Sequence, residues 1–354
     1  MNQNNKVIVI LGPTSSGKSG IAVELAREFN GEIISVDSRQ IFKKMDLGTG
    51  KIDGEWNNSE KPPQSPFEKE GGSVQKVLNK LKSSKQISSL LKGRIKEGFR
   101  DFYLYKNIPH HLIDFVEPDG DYNVSHFKKD CEKKILEISE QGKVPILCGG
   151  TGFWIQAVAD DVELPQIKPN KKLREKLATN TPEELFEMLE KIDPERASTI
   201  DKKNPPRLIR AIEIAKEIGK VPKIETFKKS SQRKIKEKSF IFLQIGISVS
   251  KDKLFEKIKL RLKERFQAGM VEEILDLYEK YDLPPDKIQN LGIAYSLIPL
   301  YQKGELTRKE LFEKIVQAEI KYAKRQMTWF KKDPRIFWIN EKNQAKNKIE
   351  EFLN

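Results

Sequence analysis

Cysteine, histidine and long apolar runs are all scarce in this chain of 354 residues. It has 2 cysteines and 3 histidines, too few for a disulfide framework or a four-cysteine zinc site. No stretch approaches the roughly 20 consecutive apolar residues that a membrane-spanning helix needs, and the polar first six residues do not resemble a signal peptide. We therefore expect a cytoplasmic protein of a reducing compartment that does not contact a membrane.

Positive charge, by contrast, is in excess. The chain has 65 Lys and Arg against 52 Asp and Glu, a formal net charge of +13. This excess favours a polyanionic partner, either nucleic acid or a phosphorylated substrate, although a solvated lysine coat explains it equally well. The 37% of apolar residues are enough for a hydrophobic core, which excludes wholesale disorder. At roughly 100–200 residues per domain, the length predicts two domains or one large core with an insertion.

The N-terminal residues have the pattern of a strand, a turn, a helix and a second strand. The continuous apolar run Val7–Leu11 is typical of a parallel strand buried on both faces. A helix is predicted from Ser19 to Phe29 and a strand from Glu32 to Val36. Further strands are predicted at Ile108–Val116, Val144–Cys148, Phe240–Ile245 and Ile336–Ile339. This order predicts an α/β fold with a P-loop NTPase-like parallel sheet core and a helical insertion domain.

The insertion is predicted where strand patterns disappear. Residues 162–238 contain only helical and turn patterns, so we assign them to the insertion, residues 1–161 to the first part of the core, and residues 239–354 to its second part with C-terminal helices. The first part also contains a long insert near residues 52–106, a proline-containing loop followed by a helical pattern at 74–99, for which the sequence suggests no function.

The turn after the first predicted strand carries a phosphate-binding motif. Gly12-Pro13-Thr14-Ser15-Ser16-Gly17-Lys18-Ser19 matches G-x-x-x-x-G-K-[ST] between a buried strand and a helix, which is the context the motif requires. Backbone N–H groups in such a loop form an anion nest at the positive end of the helix. Lys18 adds a charge for phosphate oxygens, and the Ser19 hydroxyl can bind Mg²⁺.

Other polar residues are predicted at the same edge of the sheet. Asp37 ends the second strand, and its carboxylate could hold Mg²⁺, cap the next turn or act as a general base. The loop Gly149–Gly152 follows another strand, and two loops at one sheet edge would define a channel, although tight packing of a turn would also explain these glycines. His110 and His111 are adjacent in an extended segment and point to opposite faces, so we do not expect them to share a metal ion.

Two basic segments lie further along the chain. Arg207 and Arg210 are three residues apart on a helix predicted from Pro205 to Ile218, a spacing that suits phosphate contacts but also a solvated face. The segment Tyr322–Lys332 interleaves bases with aromatics, which suits RNA and equally suits the charged flank of a core helix.

Together these segments resemble the tRNA dimethylallyltransferase family, also called tRNA isopentenyltransferases. The matching segments, in the family's order, are Gly12–Ser19, Glu32–Lys51, Ile108–Asp114, Val144–Trp154, Asn204–Ile214 and Tyr322–Trp338. The resemblance implies transfer of a dimethylallyl group from dimethylallyl diphosphate to the exocyclic amine of the adenosine 3′-adjacent to the anticodon. The phosphate loop would then serve an allylic diphosphate and need not bind ATP.

The alternatives are an adenylate isopentenyltransferase acting on free adenine nucleotides, a small-molecule kinase and a non-catalytic RNA-binding module. A helical insertion and a basic C-terminal region argue against the first, because free nucleotides need no such grip. An intact Lys18, Ser19 and Asp37 argue against the last.

The resemblance also implies the roles of individual residues. Asp37 would be the general base, with Lys18 and Ser19 as catalytic partners and Mg²⁺ as the cofactor, held by Ser19. The diphosphate would be bound by Gly12, Pro13, Thr14, Ser15, Ser16, Gly17, Lys18, Ser19 and Arg261. The tRNA anticodon stem-loop would contact Asp37, Ser38, Arg39, Gln40, Thr151, Pro206, Arg207, Leu208, Ile209, Arg210, Gln289 and Gly292. The family usually has Gly-Tyr and then Lys or Arg where this chain has Gly292-Ile293-Ala294, so a stacking and a charged contact are expected to be absent. We expect a monomer.

Overall fold

The computed structural model describes residues 5–56, 102–223, 227, 230–280, 285–289 and 291–354. The predicted helix at 74–99, and most of the insert predicted near 52–106, lie outside these residues. Contacts divide the chain into two compact units, one formed by Met1–Ala159 with Lys229–Asn354 and the other by Asp160–Lys228. In the described ranges, no helix is long and apolar enough to cross a membrane.

The strands and helices of the described residues are numbered here in chain order. The strands are β1 Lys6–Leu11, β2 Gly31–Val36, β3 Glu55–Trp56, β4 Tyr103–Tyr105, β5 Ile108–His111, β6 Val144–Gly149, β7 Gln232–Ile235, β8 Lys238–Ile247 and β9 Phe337–Ile339. The helices are α1 Lys18–Glu28, α2 Asp46–Thr49, α3 Val124–Glu140, α4 Gly152–Ala159, α5 Lys171–Ala178, α6 Pro182–Ile192, α7 Pro194–Ala197, α8 Pro205–Ile218, α9 Lys251–Gln267, α10 Met270–Lys280, α11 Pro285–Gln289, α12 Ile293–Gln302, α13 Arg308–Phe330 and α14 Lys342–Leu353.

The strands form one sheet in the larger unit. Their order is β3-β4-β5-β2-β6-β1-β8-β7, with β9 paired to β8. The central pairs are parallel, as are β2 with β5 and β8 with β9. The outer strands β3, β4 and β7 join antiparallel. The predicted α/β fold with a mainly parallel sheet is therefore confirmed, and the carboxyl ends of β1, β2 and β6 meet at one edge.

Strand β1 is buried on both faces, as its continuous apolar run predicts. Val7, Val9 and Leu11 pack in the core that includes side chains of α3, α10 and α13. Ile8 and Ile10 face the opposite core, built with α1 and α14. This alternation fixes the strand in its register, so the phosphate loop leaves the sheet at a defined point.

The strand predicted at Ile108–Val116 ends earlier, at His111. Leu112 and Asp114 have positive φ values of 55° and 54°, which turn the chain out of the sheet. The segment then pairs with the residues after Asp37, because the Asp114 N–H donates to the Gln40 carbonyl at 2.8 Å. Residues 112–114 therefore support the loop that follows Asp37 instead of extending the strand.

The helical unit has its own small core. Its buried side chains come from α5, α6, α7, the turn after α7, and α8, with Leu185, Leu208 and Ile212 fully buried. The sequence placed the end of this unit at 238, but Gln232–Ile235 pairs with β8 as part of the sheet. The boundary was misplaced because the Gln-Arg-Lys sequence of this edge strand lacks the apolar alternation that marks a strand.

Candidate active site

A cavity of about 480 Å³ lies at the carboxyl edge of the sheet, in the larger unit. Ten of the residues predicted for the site line it: Thr14, Lys18, Ser19, Asp37, Ser38, Arg39, Gln40, Arg261, Gln289 and Gly292. The parallel strands β1 and β2 bring the phosphate loop and the Asp37–Gln40 segment together because such strands end at a common edge. Arg261, Gln289 and Gly292 come from α9, the end of α11 and the start of α12.

The phosphate loop turns sharply just before the N-terminus of α1. Ser15 and Gly17 have positive φ values of 59° and 91°, and the Ser16 N–H donates to the Pro13 carbonyl at 3.2 Å. Within the described ranges no side chain caps the N-terminus of α1, so its N–H groups are available to a ligand. A free helix N-terminus beside a curled loop is a ready-made anion site.

Cationic side chains surround the space in front of this loop. Burial lowers the pKa of Lys18, the nearby Cys148 and Asp37 oppose that shift, and Arg261 adds to it. Burial also lowers the pKa of Arg261, as does its neighbour Arg265. A bound polyanion would raise both pKa values again, because its negative charge favours the protonated forms of Lys18 and Arg261.

Asp37 is held by its own loop. One oxygen, Oδ1, accepts the N–H groups of Arg39 at 2.9 Å and Gln40 at 3.3 Å. The Ser38 N–H donates to Thr151 Oγ1 at 3.1 Å, which ties this loop to the one after β6. In the described part of the chain Oδ2 accepts no hydrogen bond, so a carboxylate oxygen in the cavity wall is available to a substrate. Asp37 therefore caps the turn and still has the means to accept a proton.

The short helix α2 is clamped at both ends beside this loop. Glu273 accepts the N–H groups of Asp46, Leu47 and Gly48 at 3.0, 2.8 and 2.8 Å. Arg265 donates to the carbonyls of Leu47 and Gly48 and pairs with Glu319 at 2.8 Å.

Of the two arginines on α9, Arg265 is therefore fully engaged in structure. Arg261 donates to the Gly50 carbonyl, which also accepts Gln40 Nε2 at 3.0 Å. The diphosphate role assigned to Arg261 stays a prediction.

The His-His-Leu-Ile-Asp segment serves the architecture of the site. His111 Nε2 lies 2.7 Å from Glu32 Oε2 inside the protein. His110 lines the cavity, and burial lowers its pKa to about 4, so it is neutral at pH 7. Asp114 binds Lys51 and accepts the Trp56 indole N–H at 2.7 Å. Among the described residues, no group of three or more His, Cys, Asp or Glu could hold a metal ion.

Helix α13 contributes residues that the sequence did not assign to the site. Tyr322, Arg325 and Gln326 line the cavity, and the Arg325 guanidinium lies 5.7 Å from the centre of the Tyr322 ring. Burial, with a smaller effect of Asp37, raises the pKa of Tyr322 to about 12. The sequence signal that could have identified these residues was the spacing of Tyr322 and Gln326, which lie one helical turn apart and away from the apolar face of the helix. The segment Gly292-Ile293-Ala294, which differs from the sequence that the family usually has at this place, also lines the cavity.

The helical unit corrects part of the predicted tRNA set. Leu208 is completely buried in the core of that unit, so its side chain cannot reach RNA. Arg210 binds Glu213 and donates to the Ile167 carbonyl at 3.0 Å, so its guanidinium is already used. Pro206 and Arg207 are exposed, and Ile209 is half-buried against the core. Of this segment, Arg207 is the cation available to a phosphate.

Comparisons with known proteins agree with these features. The family described as IPP transferase matches residues 103–333, and the family described as isopentenyl transferase matches residues 5–58. A tRNA dimethylallyltransferase of Carboxydothermus hydrogenoformans is 32% identical over 98% of this chain and 96% of its own length. One from Acetivibrio thermocellus is 35% identical over 95% of this chain and 92% of its own length.

Solved structures are similar over nearly the whole chain. A tRNA isopentenylpyrophosphate transferase from Bacillus halodurans has a TM-score of 0.60 at 27% identity and covers 99% of this chain and 95% of its own. A eukaryotic dimethylallyltransferase captured while acting on tRNA has a TM-score of 0.62 at 23% identity, with 95% of this chain and 74% of its own covered. This second likeness concerns the fold alone.

Proposed function

This chain belongs to the tRNA dimethylallyltransferase family, and on that premise we propose that it transfers a dimethylallyl group from dimethylallyl diphosphate to the N6 amine of an adenosine in tRNA. We place the acceptor 3′-adjacent to the anticodon. The observation that carries the proposal is one cavity that combines the open phosphate loop, Lys18 and a carboxylate with a free oxygen. The family described as isopentenyl transferase matches only residues 5–58 of this chain. A match over this N-terminal part alone gives no reason to prefer free nucleotides as acceptors.

The phosphate loop would bind the leaving group. As the new C–N bond forms, the C–O bond of the allylic diphosphate breaks and the diphosphate takes the bonding electrons. The N-terminus of α1, Lys18 and Arg261 surround the place where that charge develops. Preorganised donors of this kind are often the largest contribution to catalysis.

Asp37 would accept the proton of the amine. The lone pair of adenine N6 is delocalised into the ring, which makes it a weak nucleophile. Proton transfer to a positioned carboxylate during C–N bond formation offsets this weakness. Oδ2 is the oxygen we assign to this step, because Oδ1 is held by the Arg39 and Gln40 N–H groups.

We propose Mg²⁺ as the cofactor of this cavity. Mg²⁺ prefers oxygen ligands, keeps several waters and binds through few protein groups plus substrate phosphates. Ser19 supplies a hydroxyl in the cavity wall close to the phosphate loop. When bound, the ion would neutralise charge on the diphosphate.

The anticodon stem-loop is the part of tRNA we assign to the protein's basic surface, with Arg207 as one phosphate contact. We propose a monomer, because the phosphate loop, Lys18 and Asp37 that the proposed reaction needs all come from a single chain. Action on tRNA supports a cytoplasmic location.

The test is the fate of a labelled dimethylallyl group. The protein is incubated with labelled dimethylallyl diphosphate, Mg²⁺ and, in parallel, bulk tRNA or AMP, ADP and ATP. Label should enter tRNA and, after digestion, appear in N6-(dimethylallyl)adenosine. Label in the free nucleotides would instead identify an adenylate isopentenyltransferase, and ATP hydrolysis without transfer of label would identify a kinase-like activity.

A further inference from the structure

One face of α13 contacts the loop Gly149–Gly152, here called the glycine loop. Tyr322, Gln326 and Trp329 follow one another at helical spacing on this face. The Tyr322 hydroxyl interacts with the Thr151 side chain. A Cβ atom at Gly152 would lie 2.3 Å from the Trp329 ring, so the helix and the loop are in close contact.

Gln326 connects the glycine loop to the phosphate loop. Its Oε1 accepts the Thr14 N–H at 2.9 Å and its Nε2 donates to the Gly150 carbonyl at 2.8 Å. The side chain is buried, with 7% of Gln326 exposed. A Cβ at Gly150 would lie 2.4 Å from Gln326 Nε2 and 3.5 Å from Lys18 Nζ. Because both polar ends of a buried amide are satisfied by backbone groups, the amide fixes the separation of the two loops.

The other side of the glycine loop is joined to the segment that carries Asp37. The Thr151 hydroxyl accepts the Ser38 N–H, and a Cβ at Gly149 would lie 2.0 Å from the Val36 carbonyl oxygen. The contacts therefore run without a break from the phosphate loop through Gln326 and the glycine loop to Asp37.

We propose that Gln326 is a positioning residue that sets the distance between the diphosphate-binding loop and the carboxylate of Asp37. The inference rests on the proposed function, since it concerns the alignment of the allylic carbon with the amine whose proton Asp37 accepts. Misplacement of reacting groups by about 1 Å can cost on the order of 10²-fold in rate. Gln326 acts through backbone contacts and does not itself need to touch either substrate.

The test compares two glutamine variants. Gln326→Met preserves the length of the side chain and removes both hydrogen bonds. The control, Gln244→Met, alters a buried glutamine on β8 outside the cavity, whose partner Asp333 remains paired with Arg335 at 2.6 Å. Single-turnover transfer to tRNA, binding of a non-hydrolysable dimethylallyl diphosphate analogue and the Tm are measured for each.

Gln326→Met breaks two hydrogen bonds and Gln244→Met breaks one, so both variants should lose thermal stability and Gln326→Met should lose more. Only Gln326→Met should lose rate, by about 10–100-fold. Its affinity for the analogue should stay within about threefold, because Lys18 and the N–H groups of α1 remain. Gln326→Asn keeps the amide but is one methylene too short to bridge the loops, and it should show the same loss if Gln326→Met does not fold.

Three outcomes overturn or separate the ideas. A wild-type rate in a folded Gln326 variant overturns the inference, and so does a loss of analogue affinity as large as the loss of rate, which would make Gln326 part of the diphosphate site. If the unaltered protein transfers no label to tRNA, the proposed function fails, whatever the variants do.

Discussion

The two carboxylate oxygens of Asp37 have different roles. Oδ1 stabilises the turn, and Oδ2 is the oxygen we assign to proton transfer. Asn can still accept the Arg39 and Gln40 N–H groups through Oδ1 but cannot accept a proton from the amine. Asp37→Asn should therefore keep the fold and the affinity for dimethylallyl diphosphate, and lose roughly 10²–10⁴-fold in single-turnover rate.

Asp37→Ala provides the matched comparison. It should lose the same rate and additionally destabilise the protein by about 0.5–1.5 kcal/mol for each hydrogen bond lost from the turn. A rate within about threefold of wild type in Asp37→Asn would remove Asp37 from the role of base.

Lys18 acts on the diphosphate both before and during bond breaking. Its ammonium is buried beside Asp37 and Arg261, where burial lowers its pKa. Lys18→Met should weaken binding of a non-reactive diphosphate analogue and slow transfer together, by about 10–150-fold each, the value of a charge-assisted hydrogen bond of about 1.5–3 kcal/mol. Isothermal titration and single-turnover kinetics check this, and unchanged values in both would show that the loop is structural only.

Among the elements, helices α5 and α8 are joined by one buried carboxylate. Glu213 accepts Arg174 Nε at 2.9 Å and the Asn170 N–H at 2.6 Å, and also binds Arg210. Burial raises the pKa of Glu213, but these three partners outweigh it and lower the pKa to about 2.

The pH dependence of that contribution follows from its sign. A lowered carboxyl pKa stabilises the folded state above the unfolded value of about 4.3, and the stabilisation is lost as the pH falls towards 2. Denaturant unfolding followed at pH 7 and pH 3 should show that Glu213→Gln reduces the pH dependence and costs about 1–3 kcal/mol at pH 7. Equal pH dependence in the variant and the wild type would contradict the assignment.

The whole molecule carries an excess of positive charge, but only particular basic side chains are available to bind the phosphates of tRNA. Arg207 is exposed, whereas Arg210 is held by Glu213 and the Ile167 carbonyl. Arg207→Ala should therefore weaken tRNA binding and reduce the log–log salt slope by about 0.7–0.9, the value for one phosphate contact. The KM for dimethylallyl diphosphate should not change.

Lys342→Ala is the control for net charge, because Lys342 pairs with Glu24 at the surface of the larger unit. It removes one positive charge and should leave the salt slope unchanged. Binding measured between 50 and 200 mM salt distinguishes the two variants, and equal slopes for both would show that Arg207 contacts no phosphate.

Local sequence determined the elements nearest the chemistry. The apolar run of β1, the glycine-bounded loop and the helical spacing after Lys18 predict a strand, a turn and a helix, because each pattern is read within about ten residues and each is compatible with one backbone geometry. The position of Asp37 at a strand end was likewise predictable, since parallel strands end at a common edge.

Only the tertiary structure decided which side chains are free to act. The Gln326 amide meets the Thr14 N–H across 312 positions of the chain, and no local pattern encodes such a contact. Leu208 and Arg207 are neighbours in one helix, yet one is buried and the other exposed, and Arg210 is neutralised by a carboxylate one turn away. Sequence spacing restricts a side chain to a face of its helix, but the packing of that face against distant elements determines whether the side chain supports the fold or reaches a substrate.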